Sequence, residues 1–390
     1  MKTVPGISSQ LYSWMRDIRK TIHQHPELSC EELTTAAFVH QKLSAIGIRS
    51  VRRVADTGLV AEIGSPDTSA IVGLRADMDA LPIVEETGLS YASVNPGIMH
   101  SCGHDGHVAM LLGAATLLQK MELPGRVRLL FQPAEEKGTG AERMIADDAI
   151  KDLSAIFSGH IDTHFETGVI TVDEGIICAY ADPFSIKMLG SSGHAARPHE
   201  CKDTIVAAAG LITSLQSLVS REIDPNHAAV LTIGKIAAGE THNVIAGEAH
   251  IEGTIRSTHP DARKRMLAGL QRMVQGAASS YQVGAELRFS EPLPAVINNC
   301  TAASIARTAA QTVVAEENVI SQGRSSLGGE DFSFYLKKIP GCMVRFGAKI
   351  SDETGSAHSS TFDFDDGVLP IGASWYAKVA QTFLQNHRKD

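Results

Sequence analysis

No stretch of this 390-residue chain reads as apolar for long enough to cross a bilayer; runs such as "AIVGL" and "VRLLF" have the length of strands. The first twenty residues, "MKTVPGISSQLYSWMRDIRK", lack the continuous apolar segment of a secretory signal. There is no block of Lys and Arg, and the formal net charge of −9 comes from interspersed acids, so neither DNA nor RNA is an expected partner. There is no internal repeat and no low-complexity segment. Cysteine is sparse: Cys30, Cys102, Cys178, Cys201, Cys300 and Cys342 are scattered too widely for a disulfide framework. These absences predict a cytoplasmic protein with free thiols, no membrane partner and, from length, about two domains.

Against that background the stretch "IMHSCGHDGH" stands out, with one cysteine and three histidines in ten residues. Its surroundings alternate strand and helix. "SAIVGLRADMDA" is an apolar strand ending at Asp77 and Asp79. "DGHVAMLLGAATLLQKM" is apolar nearly all round and predicts a buried helix. "GRVRLLFQPAEE" is a strand leading to Glu135 and Glu136, and "LSAIFSGHI" one ending at His160. This order predicts an α/β fold with a mixed, mostly parallel sheet and flanking helices. Sites in such sheets form beyond the carboxyl ends of strands, so these residues, distant in sequence, can share one cleft.

The middle of the chain reads strand, helix, strand, strand, helix, strand, from "DPFSIKMLG" to "GAELRFSE". That βαββαβ order is the split-βαβ, ferredoxin-like pattern and predicts an inserted domain at 182–292, with 1–181 and 293–390 forming the other.

Cys102 and His104, two apart before a helix, can be aimed at one point. A thiolate, imidazoles and a carboxylate suit zinc, and also Mn, Co or Ni; a catalytic thiol with a histidine base is the competing reading. In "QPAEE" one carboxylate can bind a metal while its neighbour serves as general base. His160 and His358 ("GSAHSSTFDF") complete five candidate ligands. Five exceed the needs of one tetrahedral zinc and fit two ions sharing a ligand. In the inserted segment, "GSSGHAARPHECKD" holds His194 and His199, and "GETHNVIAGEAHIEGTIRS" holds Asn243 and Arg256. An Asn can donate to an oxyanion, and an Arg is suited to clamping a substrate carboxylate.

Six blocks occur in order over nearly the whole chain: "LRADMDALPI", "MHSCGHDGHVAMLLGAA", "VRLLFQPAEEKGTGAERMI", "GSSGHAARPH", "HNVIAGEAHIEGTIRS" and "LGGEDFSFYL". Together they resemble the amidohydrolase branch of the aminoacylase and glutamate-carboxypeptidase peptidase family, which includes hippurate hydrolases, N-acetyldiaminopimelate deacetylases and indole-acetyl-amino-acid hydrolases. The resemblance implies two divalent metal ions per subunit (Mn, Zn, Co or Ni), with Cys102 bridging them and His104, Glu136, His160 and His358 as terminal ligands. It implies Glu135 as general base, Asp79 supporting the ligands from behind, and His104 taking the duty that a histidine at the Asp77 position has in other branches. It further implies a homodimer through residues 182–292, whose His194, Asn243 and Arg256 approach the substrate.

The implied reaction is hydrolysis of the amide bond of an N-acyl amino acid, with a dipeptidase or exopeptidase on the same site as the alternative. A binding protein that has lost turnover and a cysteine-nucleophile hydrolase are the readings from other classes. The chain departs from the branch at Ala246, where proline is usual, and carries His242 and His164 where they could line a pocket.

Overall fold

The apolar, strand-length segments of the first third lie at the centre of an eight-stranded sheet. In the computed structural model, which describes residues 4, 6–65 and 70–387, the central strands are Arg126–Gln132, Ile71–Asp77, Ala155–Glu166 and Gly341–Lys349, all parallel. Antiparallel strands Gly58–Ile63 and Val51–Val54 extend one side, and Ile170–Thr171 and Val319–Ile320 the other. Ile71–Asp77 is buried along its whole length. A strand covered on both faces needs apolar side chains on both, so it reads as a run and not as an alternation.

The helix His104–Leu118 is buried on all but one of its residues and packs against Val368–Asn386 and Ser9–Gln24. Ser8 caps the last of these through the Leu11 amide at 3.1 Å. The expected strand "LSAIFSGHI" does not stop at His160. It runs on to Glu166, because its pairing with Gly341–Lys349 continues past that point, and His160 therefore sits in mid-strand.

The chain forms two compact units. One comprises the residues up to Gly175, Ile297–Gly323, and those from Glu330 on; the other comprises Ile176–Val296 and Arg324–Gly329. The second is therefore wider than the expected 182–292. The strand Tyr180–Leu189, first in chain order in its four-stranded sheet, is paired along its whole length, and Ala181 exchanges backbone hydrogen bonds with Leu293. Its sheet has the order Ala229–Ala238, Glu248–Ser257, Tyr180–Leu189, Gly284–Phe289, antiparallel throughout. The helices Thr204–Ser217 and Pro260–Tyr281 share the apolar core of this sheet.

One helix, Thr204–Glu222, 19 residues with mean hydropathy 1.2, is long and apolar enough to cross a membrane by length and composition alone, although no unbroken apolar run within it has that length. Ala207, Ala208, Leu211, Leu215 and Leu218 belong to the core of the second unit, which accounts for its apolar character.

The first unit buries an ionic network beneath its N-terminal helix. His23 Nδ1 lies 2.9 Å from Asp105 Oδ2 and its Nε2 3.2 Å from Glu85 Oε1. Burial works against the imidazolium, but these two carboxylates outweigh it and push the pKa up to about 9 from an ordinary 6.5. A group raised on folding stabilises fully below its unfolded pKa, and the contribution disappears as pH rises through the folded value. His23→Gln is therefore expected to cost at most about 3 kcal/mol at pH 6. Melting temperatures of the two proteins, measured from pH 6 to 10, should converge across that interval.

Candidate metal centre

The turn Ser101–Gly103 sets the geometry. Gly103 caps the following helix at φ +87°, and a Cβ there would lie 3.3 Å from Ile161. The left-handed turn and the close strand both favour glycine. It leaves the Cys102 Sγ 3.5 Å from His160 Nε2.

The histidines are oriented from behind. His104 Nδ1 is 2.9 Å from the Asp79 carbonyl oxygen, which can only accept, so the second nitrogen, Nε2, faces the cleft. His160 Nδ1 is held likewise by the Ile161 carbonyl at 2.6 Å. Asp79 braces three elements: its carboxylate accepts from Ser29 Oγ at 2.6 Å and from the Glu136 amide at 3.0 Å, and lies 3.3 Å from His104 Nδ1.

Adjacent carboxylates normally diverge, yet Glu135 Oε2 and Glu136 Oε1 lie 4.0 and 3.9 Å from His104 Nε2. The chain turns immediately before them, at Ala134, which has φ +53°. That conformation is strained for a residue with a Cβ. It is held by Glu32, whose carboxylate accepts from the Ala134 amide at 2.8 Å. His358, also left-handed at φ +67°, reaches Glu136 Oε1 at 3.3 Å from an exposed loop.

Among the groups whose ligand atoms lie within 4.8 Å of one another are two triads that share Cys102: Cys102 with His104 and His160, and Cys102 with Glu136 and His358; His104 with Glu135 and Glu136, and Asp77 with His104 and His107, are also that close. The five residues singled out in the sequence thus come together, and Cys102 belongs to both triads. His107, one of the motif's two other histidines, is used otherwise. Its Nε2 accepts from the Ile161 amide at 2.9 Å and its Nδ1 lies 2.5 Å from Asp77 Oδ1.

Sequence reasoning missed a second layer. Arg75, buried, donates to Gln132 Oε1 at 2.8 Å, Asp77 Oδ2 at 2.6 Å, and Glu330 and Asp331 at 3.0 Å each. Glu135, Glu330 and Asp331 each offer an oxygen within 4.8 Å of the others. Asp77 is therefore a partner of Arg75 and His107. The blocks "LRADMDALPI" and "LGGEDFSFYL" hold Arg75, Asp77, Glu330 and Asp331, but nothing in either showed that they meet.

The donor set fits divalent cations. His104 Nε2 is buried with no hydrogen-bond partner, and Glu136 Oε1 has ion-pair contacts, the shortest to His358, without hydrogen-bond geometry, an arrangement that costs free energy unless an ion satisfies them. Burial opposes the charged form of His104, but Asp77 and Asp79 outweigh it and hold its pKa well above the ordinary value, so the pocket favours positive charge at that ring. Burial, with Arg345 and His107, keeps His160 well below its ordinary value and hence neutral, the form that binds metals. Burial and the Glu136 charge push the Cys102 thiol up to about 12. Such a placement disfavours the thiolate unless a cation is bound beside it. Burial, then Glu330 and Glu136, raises Glu135 well above the carboxylate range.

In the second unit His194 and Asn243 are brought side by side. His194 pairs with Val244 in a two-stranded ribbon, and the Asn243 carbonyl accepts from the Ala195 amide at 3.1 Å. Arg256, half-buried in its strand, donates to the Leu327 carbonyl at 3.1 Å.

Residues 73–382 match peptidase family M20/M25/M40. The chain is 38% identical over 370 residues to an N-acetyl-L-cysteine deacetylase of Bacillus subtilis, covering 94% of this chain and 87% of that one. It is 37% identical over 387 residues to an IAA-amino acid hydrolase of Arabidopsis thaliana, covering 97% and 87%. It also aligns over 385 residues, at 40% identity, with a Rhodococcus jostii relative bearing a glutamate–cysteine ligase name, of which it spans only 47%. Among solved structures, a dinuclear metal binding peptidase of the M20 family from Bacillus subtilis superposes with a TM-score of 0.84 at 34% identity, covering 97% and 99% of the two chains.

Proposed function

The chain belongs to peptidase family M20/M25/M40, and on that premise we propose that it is a metal-dependent amidohydrolase acting on N-acyl amino acids. The observation that carries this reading is the pair of triads sharing Cys102, with Glu135 beside them. The deacetylase and amino acid hydrolase relatives support an acylated amino acid as substrate.

Cys102, His104 and His160 would hold one cation, and Cys102, Glu136 and His358 the other. Bound there, two divalent ions would acidify water and polarise the amide carbonyl. Glu135 takes a proton from the attacking water on a carboxylate oxygen and passes it to the departing amine nitrogen. The charge that develops on the former carbonyl oxygen needs a donor, and the resemblance assigns that task to His194 or Asn243. The same motif match assigns Arg256 to the free carboxylate of the amino acid.

We place the enzyme in the cytoplasm, as a homodimer through its second unit. Exposed Ile205, Val206, Ile236 and Val244 in that unit, and its long edge strand Ala229–Ala238, support the assembly; its mass in solution checks it.

The test is hydrolysis by the full chain after chelation, with Mn, Zn, Co or Ni added back. N-acetyl and N-benzoyl amino acids should be cleaved only with metal restored, and faster than simple dipeptides. Preference for dipeptides would assign the site to a dipeptidase, and metal binding without any turnover to a binding protein.

A further inference from the structure

The candidate ligands are not held alike. Cys102 and His104 are buried in the turn and helix, and His160 lies in a central strand. His358 has a side chain 54% exposed, on the loop between the strand Gly341–Lys349 and the helix Val368–Asn386. Packing against the His358 side chain cannot fix it, so the backbone of its loop must.

The loop is held at several places, among them Arg16 Nε, which donates to Asp366 Oδ2 at 2.8 Å, and three that bear on His358. The His358 amide donates to the Ser101 carbonyl at 2.8 Å. Ser360 Oγ donates to Glu86 Oε2 at 2.5 Å, and its carbonyl accepts from the Glu86 amide at 2.8 Å. The third anchor has the most contacts. Arg19 on the N-terminal helix is 1% exposed and grips the loop's return limb. It donates to the Phe364 carbonyl at 3.0 Å, to Asp366 Oδ1 at 2.5 Å and to Asp363 Oδ1, and its guanidinium lies 3.5 Å from the centre of the Phe364 ring. The same guanidinium faces Asp105, the residue after His104, at 3.4 Å. One cation therefore ties the loop of the exposed ligand to the helix of a buried one.

We propose that Arg19 is a positioning residue for one metal site: it latches the His358 loop so that the Cys102–Glu136–His358 triad forms, while the Cys102–His104–His160 triad does not need it. The inference rests on the two-triad reading above. Lysine cannot replace Arg19, because a single ammonium lacks the planar fork that serves a carbonyl and two carboxylates at once.

The experiment is equilibrium titration of the chelator-stripped full chain with Mn(II), following free Mn(II) by electron paramagnetic resonance. The wild type should take up two equivalents, and His358→Ala one. Arg19→Lys should weaken the second equivalent about 10- to 100-fold, the usual effect of losing a group that orients a ligand, and leave the first unchanged. Should Arg19→Lys fail to fold, Asp363→Asn loosens the Arg19 grip from the loop side while leaving the Arg16–Asp366 contact in place, and decides the matter. Folded variants that bind both equivalents as the wild type does, or that weaken both equally, overturn the latch. Two undiminished equivalents in His358→Ala overturn the ligand assignment itself.

Discussion

Replacing Glu135 by Gln is expected to lower kcat by about 10²- to 10⁴-fold while both metals stay bound. The substitution keeps the shape of the side chain and removes its capacity to take a proton. Glu135 is suited to the task by where it sits. It is nearly buried, its Oε2 is 4.0 Å from His104 Nε2, and its carboxylate belongs to neither Cys102 triad. Its elevated pKa has burial as the first cause, and the charges of Glu330 and Glu136 add to it. Such surroundings make a carboxylate a willing proton acceptor, and a cation nearby would lower that raised pKa and favour the ionised form that accepts. Metal content and kcat must be measured on the same preparation. A variant with wild-type turnover would remove Glu135 from the mechanism, and one that also lost metal would recast it as a ligand.

Replacing Cys102 by Ala should affect metal binding more than any other single change. The residue is common to both triads, so its loss leaves each with two donors. Both equivalents should weaken, and turnover should fall to background at micromolar metal. His160→Ala or His358→Ala, by contrast, should each weaken one equivalent. A Cys102→Ala enzyme that kept one tight ion would show that the sulfur serves a single site. Cobalt makes the comparison direct, since loss of sulfur ligation changes the near-ultraviolet charge-transfer absorption. The reading in which Cys102 acts as a nucleophile predicts unaltered metal content in the same variant.

Much of this site could be read from the chain itself. The runs "AIVGLRAD" and "RVRLLFQ" are apolar without alternation because their strands are covered on both faces, so their ends, and the acids beyond them, were visible. The density of cysteine and histidine around Gly103 marked the turn.

Other features could not be read, each for a physical reason. The strand carrying His160 continues in half-exposed residues that give no apolar signal, so its end was misplaced. The convergence of Glu135 and Glu136 depends on a left-handed Ala134, a residue type that does not announce that conformation. Arg75 and Glu330 are 255 residues apart, and a salt bridge leaves no periodicity in sequence. Arg19 is 344 and 347 residues from its partners Asp363 and Asp366, and no local pattern in the sequence links them.

The Arg75 cluster carries a further consequence. A single guanidinium there answers to Asp77, Glu330 and Asp331, with Glu135 close by. Charge at that depth is tolerated only as a total, since water is not at hand to absorb an imbalance. Engineering of this enzyme at any of those positions will therefore succeed in matched pairs and fail in single steps. Redesign of its acid–base chemistry has to begin with the counter-ion rather than with the carboxylate it serves.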